Sequence, residues 1–204
     1  GSYRNRDYMN FASLRVLNDD HVRGGAGFAT HDHDNFEIIT YIIKGSLAHK
    51  DSMGNGSTIM CGDVQLMSAG SGVTHSEFNA SPTEEVHLLQ IWFFPQTRDK
   101  EPSYEQKSFS DSAKKGRMAL IVSQDGRDDS LKINQDVSIY ASIMDEEDHV
   151  THRLESGRQA WVHIARGNIY LNGLLLKAGD GAAALRALAP APFEIDIGGL
   201  ASFT

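Results

Sequence analysis

The sequence contains a single cysteine among 204 residues, so the chain cannot form an internal disulfide. This shortage excludes a disulfide-rich secreted scaffold and favours a reducing, cytoplasmic compartment. Clusters of lysine and arginine are also absent, and the formal net charge at pH 7 is -8. Because binding to nucleic acid draws on clustered cationic side chains, we expect no direct nucleic-acid partner.

Long apolar runs are missing as well. The longest run, residues 88–94, is interrupted by Gln90 and is too short to cross a bilayer. We find no signal-peptide pattern before it and expect no membrane association. The apolar content of 40% is nevertheless enough for one large domain or two small ones with real cores.

The lone thiol, Cys61, lies directly before the turn pair Gly62-Asp63. No lysine or arginine stands next to it in the sequence to activate the thiol. We therefore expect a buried structural cysteine rather than a reactive one.

What the sequence does contain is a series of short apolar runs separated by turn-forming clusters, which predicts strands. Many short strands at this spacing are typical of a sandwich or a barrel. From Leu131 the odd positions are mostly apolar, as in a half-buried strand, with an interruption at 134–136. Only 110–115 resembles a helical turn, and this polar stretch is the expected boundary between two units. The clearest strand runs are 37–43, 64–67, 86–94 and 118–122.

An internal repeat also indicates two units. A four-residue pattern occurs twice: a basic residue, a glycine, a polar residue and an apolar residue. In both places a Gly-Asp pair follows further along the chain. The first copy comprises 44–47 and 62–63, and the second comprises 166–169 and 179–180. The chain is therefore predicted to carry one fold in duplicate.

Two pairs of polar residues in the first copy predict a metal site. Side chains two apart on a strand share a face, so His31 projects with His33, and His75 projects with Glu77. Three imidazoles and one carboxylate suit a divalent first-row transition metal and leave coordination positions free. Magnesium and calcium, which prefer oxygen ligands, fit this set poorly.

Glu37 is an alternative to Glu77 as the carboxylate ligand. It is even-spaced from His33, so an unbroken strand would also point it inward. We favour Glu77 as the ligand. We expect Glu37 either to contact the ligating residues without binding the metal or to lie at the strand end.

The second copy lacks this set of ligands. Aligned on the shared glycines, the positions of the two ligand pairs are occupied by Arg153 and Glu155, and by Pro192 and Glu194. Three histidines lie nearby without a same-face pair of the first kind, and we interpret them as ordinary surface or core residues: His149, His152 and His163.

These residues carry a family resemblance. Gly25, His31-x-His33 and Glu37 resemble the first motif of the cupins, and the segment from Gly62 to His75 resembles the second. One departure is that Gly45 follows Glu37 after seven residues, where the general cupin pattern has six.

More specifically, residues 11–105 resemble the pirin family, and within it the bacterial pirin-like quercetin 2,3-dioxygenases. The second half resembles it more loosely, through 130–136 and Trp161. The resemblance implies an all-β bicupin, two jelly-roll-like β-barrels packed together, with a metal site only in the N-terminal barrel. The domains would be 1–110, which binds metal, and 111–204, a degenerate cupin domain. The metal ligands would match His31, His33, His75 and Glu77.

The resemblance also implies a function. It predicts a metal-dependent dioxygenase that opens the heterocyclic ring of flavonols such as quercetin with O₂ and releases carbon monoxide. Glu77 would be the catalytic base that takes the proton of the 3-hydroxyl group. Iron is the first expectation for the metal, with nickel, manganese, cobalt, copper and zinc as alternatives. We expect a monomer.

Two other functions remain open. One is a metal-bearing, redox-responsive regulatory protein that acts through a protein partner, as pirins of nucleated cells are thought to do. The other is a cupin of the sugar-isomerase or decarboxylase type with the same ligands. Both ends also look short, because family members usually carry an aromatic-rich segment before this start and a final strand beyond residues 201–204.

Overall fold

The structure, a computed structural model, describes residues 9–184 and 193–199. Within these ranges it is nearly all β, with one short helix, α1 (Asp111–Lys114), where the sequence predicts a helical turn, and a 3₁₀ turn (Arg127–Asp129). No helix in the described part of the chain is both long and apolar enough to cross a lipid bilayer. The strands are β1 (Leu14–Val22), β2 (Gly27–His33), β3 (Glu37–Lys44), β4 (Ser46–Asp51), β5 (Gly56–Met60), β6 (Asp63–Ser68), β7 (Val73–Asn79), β8 (Val86–Phe93), β9 (Ser103–Ser108), β10 (Ala119–Ser123), β11 (Leu131–Lys132), β12 (Ser138–Ala141), β13 (His149–Leu154), β14 (Ala160–His163), β15 (Asn168–Leu171), β16 (Leu174–Lys177), β17 (Gly181–Ala184) and β18 (Phe193–Gly198).

The first half of the chain forms two antiparallel sheets that pack face to face. One has five strands in the order β1-β8-β3-β6-β9, and the other has four in the order β2-β7-β4-β5. Both sheets contribute to one apolar cluster: Ile42, Val86 and Leu88 come from the first sheet, and Leu47 and Ile59 from the second. This shared cluster holds the sheets together by removing apolar surface from water.

A second apolar cluster lies further along the same strands. It comprises Ile38, Met67, Ala69 and Val73, with Phe36 and Trp92 packed against it. On β3 the inward positions run Ile38, Thr40, Ile42, so a buried polar residue separates the two clusters. The interior is therefore layered as apolar, polar, apolar.

The polar layer consists of five buried side chains. Thr40 lies directly opposite Gln65 of β6 and Gln90 of β8, and His49 of β4 lies opposite Glu77 of β7. All five are less than 9% exposed. Buried polar groups are destabilising unless they are hydrogen-bonded. A layer of them inside a small barrel therefore indicates a candidate functional site.

The second half forms a four-stranded sheet, β13-β18-β15-β16, and a separate antiparallel pair, β14-β17. Leu154, Ile195 and Ile197 form its core cluster. The half-buried pattern predicted from Leu131 is realised as two short strands, β11 and β12, separated by the predicted interruption. Both join β10 in a three-stranded sheet.

The internal repeat is present in the geometry as well as in the sequence. In each copy the glycine of the Gly-Asp pair has a positive φ and donates its N–H to a carbonyl at the end of the earlier strand. The aspartate then accepts a backbone N–H from three residues before it. The equivalent bonds are Gly62 N to Ile42 O (2.9 Å) and Gly179 N to Ile164 O (2.7 Å), and Met60 N to Asp63 Oδ2 (2.9 Å) and Lys177 N to Asp180 Oδ2 (2.8 Å).

By its internal contacts the chain divides into two compact units. The first comprises residues 1–110 and 120–140, and the second comprises 111–119 and 141–204. Residues 120–140, which the sequence analysis places in the second domain, thus pack within the first unit. The domain limits 1–110 and 111–204 stay a prediction.

The prediction for Cys61 is wrong, because its side chain is exposed. Cys61 lies in the turn between β5 and β6, where its Sγ reaches the carbonyl oxygen of Ile43 at 3.2 Å. A turn residue between two barrel strands has no opposing sheet to cover it, which the local sequence does not reveal.

Candidate metal centre

Two neighbouring strands bring the three predicted histidine ligands together. β2 and β7 pair antiparallel with His31 directly opposite His75, and His33 follows two residues later on the same face. The ring centroids lie 4.8 Å apart for His31 and His33, 4.5 Å for His31 and His75, and 5.0 Å for His33 and His75. One ring nitrogen of each lies within 4.8 Å of the other two.

The nitrogen atoms of this histidine triad fit a shared metal ion. Nδ1 of His31 donates to the carbonyl oxygen of Ala29 at 2.7 Å, so Nε2 carries the lone pair. That Nε2 lies 3.1 Å from Nε2 of His75. Two nitrogens about 2.1 Å from one metal are about 3.0 Å apart at a right angle and about 3.4 Å apart in a tetrahedron. Among the described residues, the buried Nε2 of His33 has no hydrogen-bond partner.

His33 and His75 are held in the neutral form that binds metal. Burial is the largest cause that lowers the pKa of His33 and, to about 3, the pKa of His75. The neighbouring His31 lowers both further, because a second positive charge in the cluster would be repelled. Since only a neutral imidazole has a free lone pair on its ligating nitrogen, these shifts favour metal binding near neutral pH.

Glu77, the fourth predicted ligand, lies two residues after His75 on β7 and is 1% exposed. One oxygen of its carboxylate, one ring nitrogen of His75 and one of His49 lie within 4.8 Å of one another. His75 therefore belongs both to this group and to the histidine triad. Gln90 Nε2 donates to Glu77 Oε2 at 2.7 Å, and Trp92 Nε1 donates to Gln90 Oε1 at 3.1 Å. Because an indole N–H can only donate, this chain fixes the orientation of the Gln90 amide. The ligand set His31, His33, His75 and Glu77 stays a prediction.

His49 is a residue that the sequence analysis missed. His49 is buried, with its side chain 0% exposed, and its ring lies 5.3 Å from that of His75. Nε2 donates to Asp51 Oδ2 at 3.1 Å, while the buried Nδ1 has no partner in the described part of the chain. A signal was available, because Leu47 and His49 are two apart on β4 and the fully buried Leu47 fixes the inward face.

Glu37 is buried but lies outside all three groups of potential ligands in the described residues. Ser68 Oγ donates to its Oε2 at 2.6 Å, and the backbone N–H of Asn134 donates to the same atom at 3.3 Å. Burial raises the pKa of Glu37, and these hydrogen bonds oppose the rise. The strand is not continuous from His33, since Asn35 has a φ of 51° between β2 and β3. The even spacing between His33 and Glu37 therefore does not place their side chains on the same face of one strand.

The second copy presents different residues at the corresponding positions. Arg153 and Glu155 are exposed and form an ion pair with Nε and Oε1 3.5 Å apart. Glu194 is also exposed, and Pro192 lies outside the described residues. Within 9–184 and 193–199, the groups of potential ligands include none of the other three histidines discussed above, His149, His152 and His163.

The depressed pKa of His75 predicts a pH effect on the metal-free protein. The folded state resists protonation of His75 down to about pH 3, whereas the unfolded chain takes up this proton near pH 6.5. The free energy of unfolding should therefore fall as the pH drops below 6.5, by up to roughly 1.4 kcal/mol per pH unit from this one residue. Burial raises the pKa of Glu77, which acts with the opposite sign, so the comparison must be between variants.

Urea unfolding of the metal-free protein and of His75→Gln between pH 6.5 and 4.5 measures this effect. We expect a shallower dependence on pH in His75→Gln, because the substituted amide does not titrate. Equal slopes in the two proteins would contradict the assignment of a buried, neutral His75.

Comparison with known proteins places the chain in a family. The profile described as Pirin matches residues 2–93, and the profile described as Quercetinase C-terminal cupin domain matches residues 120–188. A protein of Escherichia coli (strain K12), named Quercetin 2,3-dioxygenase, is 41% identical over 182 residues, which are 89% of this chain and 78% of the relative. The chain belongs to the pirin family. The prediction of an all-β bicupin is thereby confirmed.

Other pirins extend the comparison. A protein of Caulobacter vibrioides named Pirin-like protein is 36% identical over 182 residues, covering 89% of this chain and 78% of that protein. A crystal structure of the bacterial pirin YhhW from Escherichia coli, in complex with nickel(II), superposes with a TM-score of 0.87 at 36% identity. The match covers 98% of this chain and 83% of that one.

Proposed function

We propose that this pirin is a metal-dependent dioxygenase that opens the heterocyclic ring of flavonols such as quercetin with O₂. The observation that carries the proposal is the triad of imidazoles, two of them kept neutral by burial, with the buried carboxylate of Glu77 nearby. The name of the Escherichia coli relative, Quercetin 2,3-dioxygenase, supports the same reaction class.

His31, His33, His75 and Glu77 would hold the metal. The donor set, three nitrogens and one carboxylate oxygen, suits a divalent first-row transition ion, and a relative binds nickel(II). When bound, such an ion supplies Lewis acidity toward the 3-hydroxyl and carbonyl oxygens of a flavonol. Iron(II) and nickel(II) are the first ions to test, followed by manganese, cobalt, copper and zinc.

Glu77 would act as the base for the 3-hydroxyl proton. Gln90 donates to Oε2, while in the described part of the chain Oε1 has only a long contact of 3.5 Å from Thr40 Oγ1, so Oε1 would be the atom that takes the proton. Burial raises the pKa of this carboxylate toward neutrality, and a base is most effective when its pKa lies near the working pH. Gln90 would orient the carboxylate, and Trp92 would orient Gln90.

A surface groove includes His75 of the triad in its lining. It has a volume of about 390 Å³ and is lined by Thr30, Lys50, Asp51 and His75 among others. Pockets for drug-sized ligands range from about 300 to 1,000 Å³. Its polar lining offers hydrogen-bond partners to the phenolic hydroxyl groups of a flavonol.

The decisive experiment is turnover of quercetin by metal-free protein reconstituted with each ion in turn. We expect the flavonol absorbance to decay with matching consumption of O₂ and release of carbon monoxide, and no decay in the metal-free sample. Quercetin with each free ion is the control for uncatalysed oxidation.

Inactivity with every divalent ion would overturn the enzyme hypothesis. Metal retention without turnover would then favour the regulatory alternative, in which the metal state governs binding to a protein partner. Turnover of a sugar or an organic acid instead of a flavonol would favour the isomerase or decarboxylase alternative.

A further inference from the structure

A second group of histidines and carboxylates lies on the outer face of the five-stranded sheet. On β8 the inward positions are taken by Val86 and Leu88 of the apolar core, so His87 projects to the opposite face. β1 is the edge strand beside β8, and its His21 lies directly opposite His87. Asp19, two residues before His21, shares that face.

The three side chains are close enough to ligate one ion. His87 Nε2 lies 2.6 Å from Asp19 Oδ1, and the rings of His21 and His87 stack with centroids 4.1 Å apart. One ligand atom from each of the three lies within 4.8 Å of the other two. Two ligand atoms about 2.1 Å from a tetrahedral ion are about 3.4 Å apart, so side-chain shifts of up to about 1.4 Å complete the site.

A further carboxylate prepares His21 for this role. Glu85 Oε1 lies 2.8 Å from His21 Nδ1, and because a carboxylate only accepts, Nδ1 carries the proton. The lone pair of His21 then belongs to Nε2. Histidine ligands in metalloproteins are oriented in this way by a carboxylate on the other ring nitrogen.

The exposure of the group allows an ion to enter from solvent. The side chain of His21 is 55% exposed and that of Asp19 is 22% exposed, whereas His87 is 7% exposed. The buried His87 thus forms the floor and the other two form the rim.

We propose that Asp19, His21 and His87 form a second site for a divalent first-row transition ion such as Zn²⁺. Two imidazoles and one carboxylate are a set that zinc, nickel and copper accept and that calcium and magnesium do not favour. An ion held by Asp19 and by Nε2 of His87 replaces the hydrogen bond between these two atoms, and the neutral ring of His87 then carries its proton on Nδ1. The proposal is independent of the proposed function, because the site shares no residue with the triad.

Occupancy of this site ties the edge strand to the sheet. Among the described strands β1 pairs only with β8, and the ion would add a cross-link between the side chains of these two strands. An ion that binds the folded chain and not the unfolded one raises the thermal midpoint.

The test is zinc titration of tag-free, metal-free protein by calorimetry, with the bound metal counted by elemental analysis. We expect two equivalents in the wild type and one in His21→Ala. One equivalent is also expected in His75→Ala, and none in the double variant. His149→Ala, which removes an exposed histidine from β13, is the matched control and should keep both equivalents.

A rise in the thermal midpoint of His75→Ala with zinc, absent from the double variant, would support the proposal further. Zinc stoichiometry that is unchanged by His21→Ala and by His87→Gln would overturn it, as would a wild type that binds one equivalent lost in His75→Ala. Failure of the triad to bind metal is distinguishable, since His75→Ala would then change nothing while His21→Ala would remove the bound zinc.

Discussion

Replacing His75 with alanine is expected to leave the chain folded and to remove the metal ion proposed to bind the triad. A four-ligand site is worth about 10–16 kcal/mol, so each ligand contributes roughly 3 kcal/mol, a loss of ~10²-fold in affinity or more. The fold should survive, because the apolar clusters on both sides of the polar layer do not include His75. His31→Ala should behave in the same way, since the two imidazoles lie directly opposite each other.

Metal content after desalting into metal-free buffer, together with circular dichroism on the same samples, measures this effect. The site on the outer face is not expected to interfere, because its partly exposed ligands hold an ion less tightly. His152→Ala is the control, since His152 is a partly buried histidine outside the triad, and it should retain the metal. Full metal retention in His75→Ala would remove His75 from the ligand set.

Glu77→Gln should lower flavonol turnover by roughly 10²-fold or more while keeping part of the metal, as expected when a positioned base is removed. Glutamine keeps the volume and an oxygen ligand but loses the charge and the basicity. It can also still accept the hydrogen bond from Gln90, so the barrel interior is preserved. The metal-free variant should be more stable than the wild type at neutral pH, because burial raises the pKa of Glu77 and makes its charged form unfavourable.

Metal content and quercetin turnover on the same preparations separate loss of the ion from loss of the base. Glu37→Gln is a matched control, since Glu37 is equally buried yet bonded to Ser68 away from the triad, and it should stay near wild-type activity. A fully active Glu77→Gln beside an inactive Glu37→Gln would transfer the base role to Glu37.

Much of the fold could be predicted, because strand alternation and the Gly-Asp repeat are local signals. His31 and His33 were identifiable from even spacing, as were His75 and Glu77. Their meeting depends on the pairing of β2 with β7, including a register shift between Phe28 and His31, and single-sequence spacing carries no information on pairing.

The remaining differences have similar causes. His49 reaches the site because β4 pairs with β7, and this pairing is set by the tertiary structure rather than by the local sequence. The exposure of Cys61 depends on what covers a turn. The interruption at Asn35, which separates Glu37 from the face of His33, is a single backbone angle that any asparagine permits but does not require.

The layered interior has a consequence for how the strands find their alignment. A shift of one residue between β3 and β8 would turn core residues outward, which the apolar pattern already forbids. A shift of two residues would keep the inward face inward, and in an all-apolar barrel it would be nearly degenerate. Here it would set Thr40 against Leu88 or Trp92 and leave Gln90 facing isoleucine, at about 1–3 kcal/mol for each polar group deprived of a partner. The polar layer therefore favours one register between these strands over registers shifted by two residues.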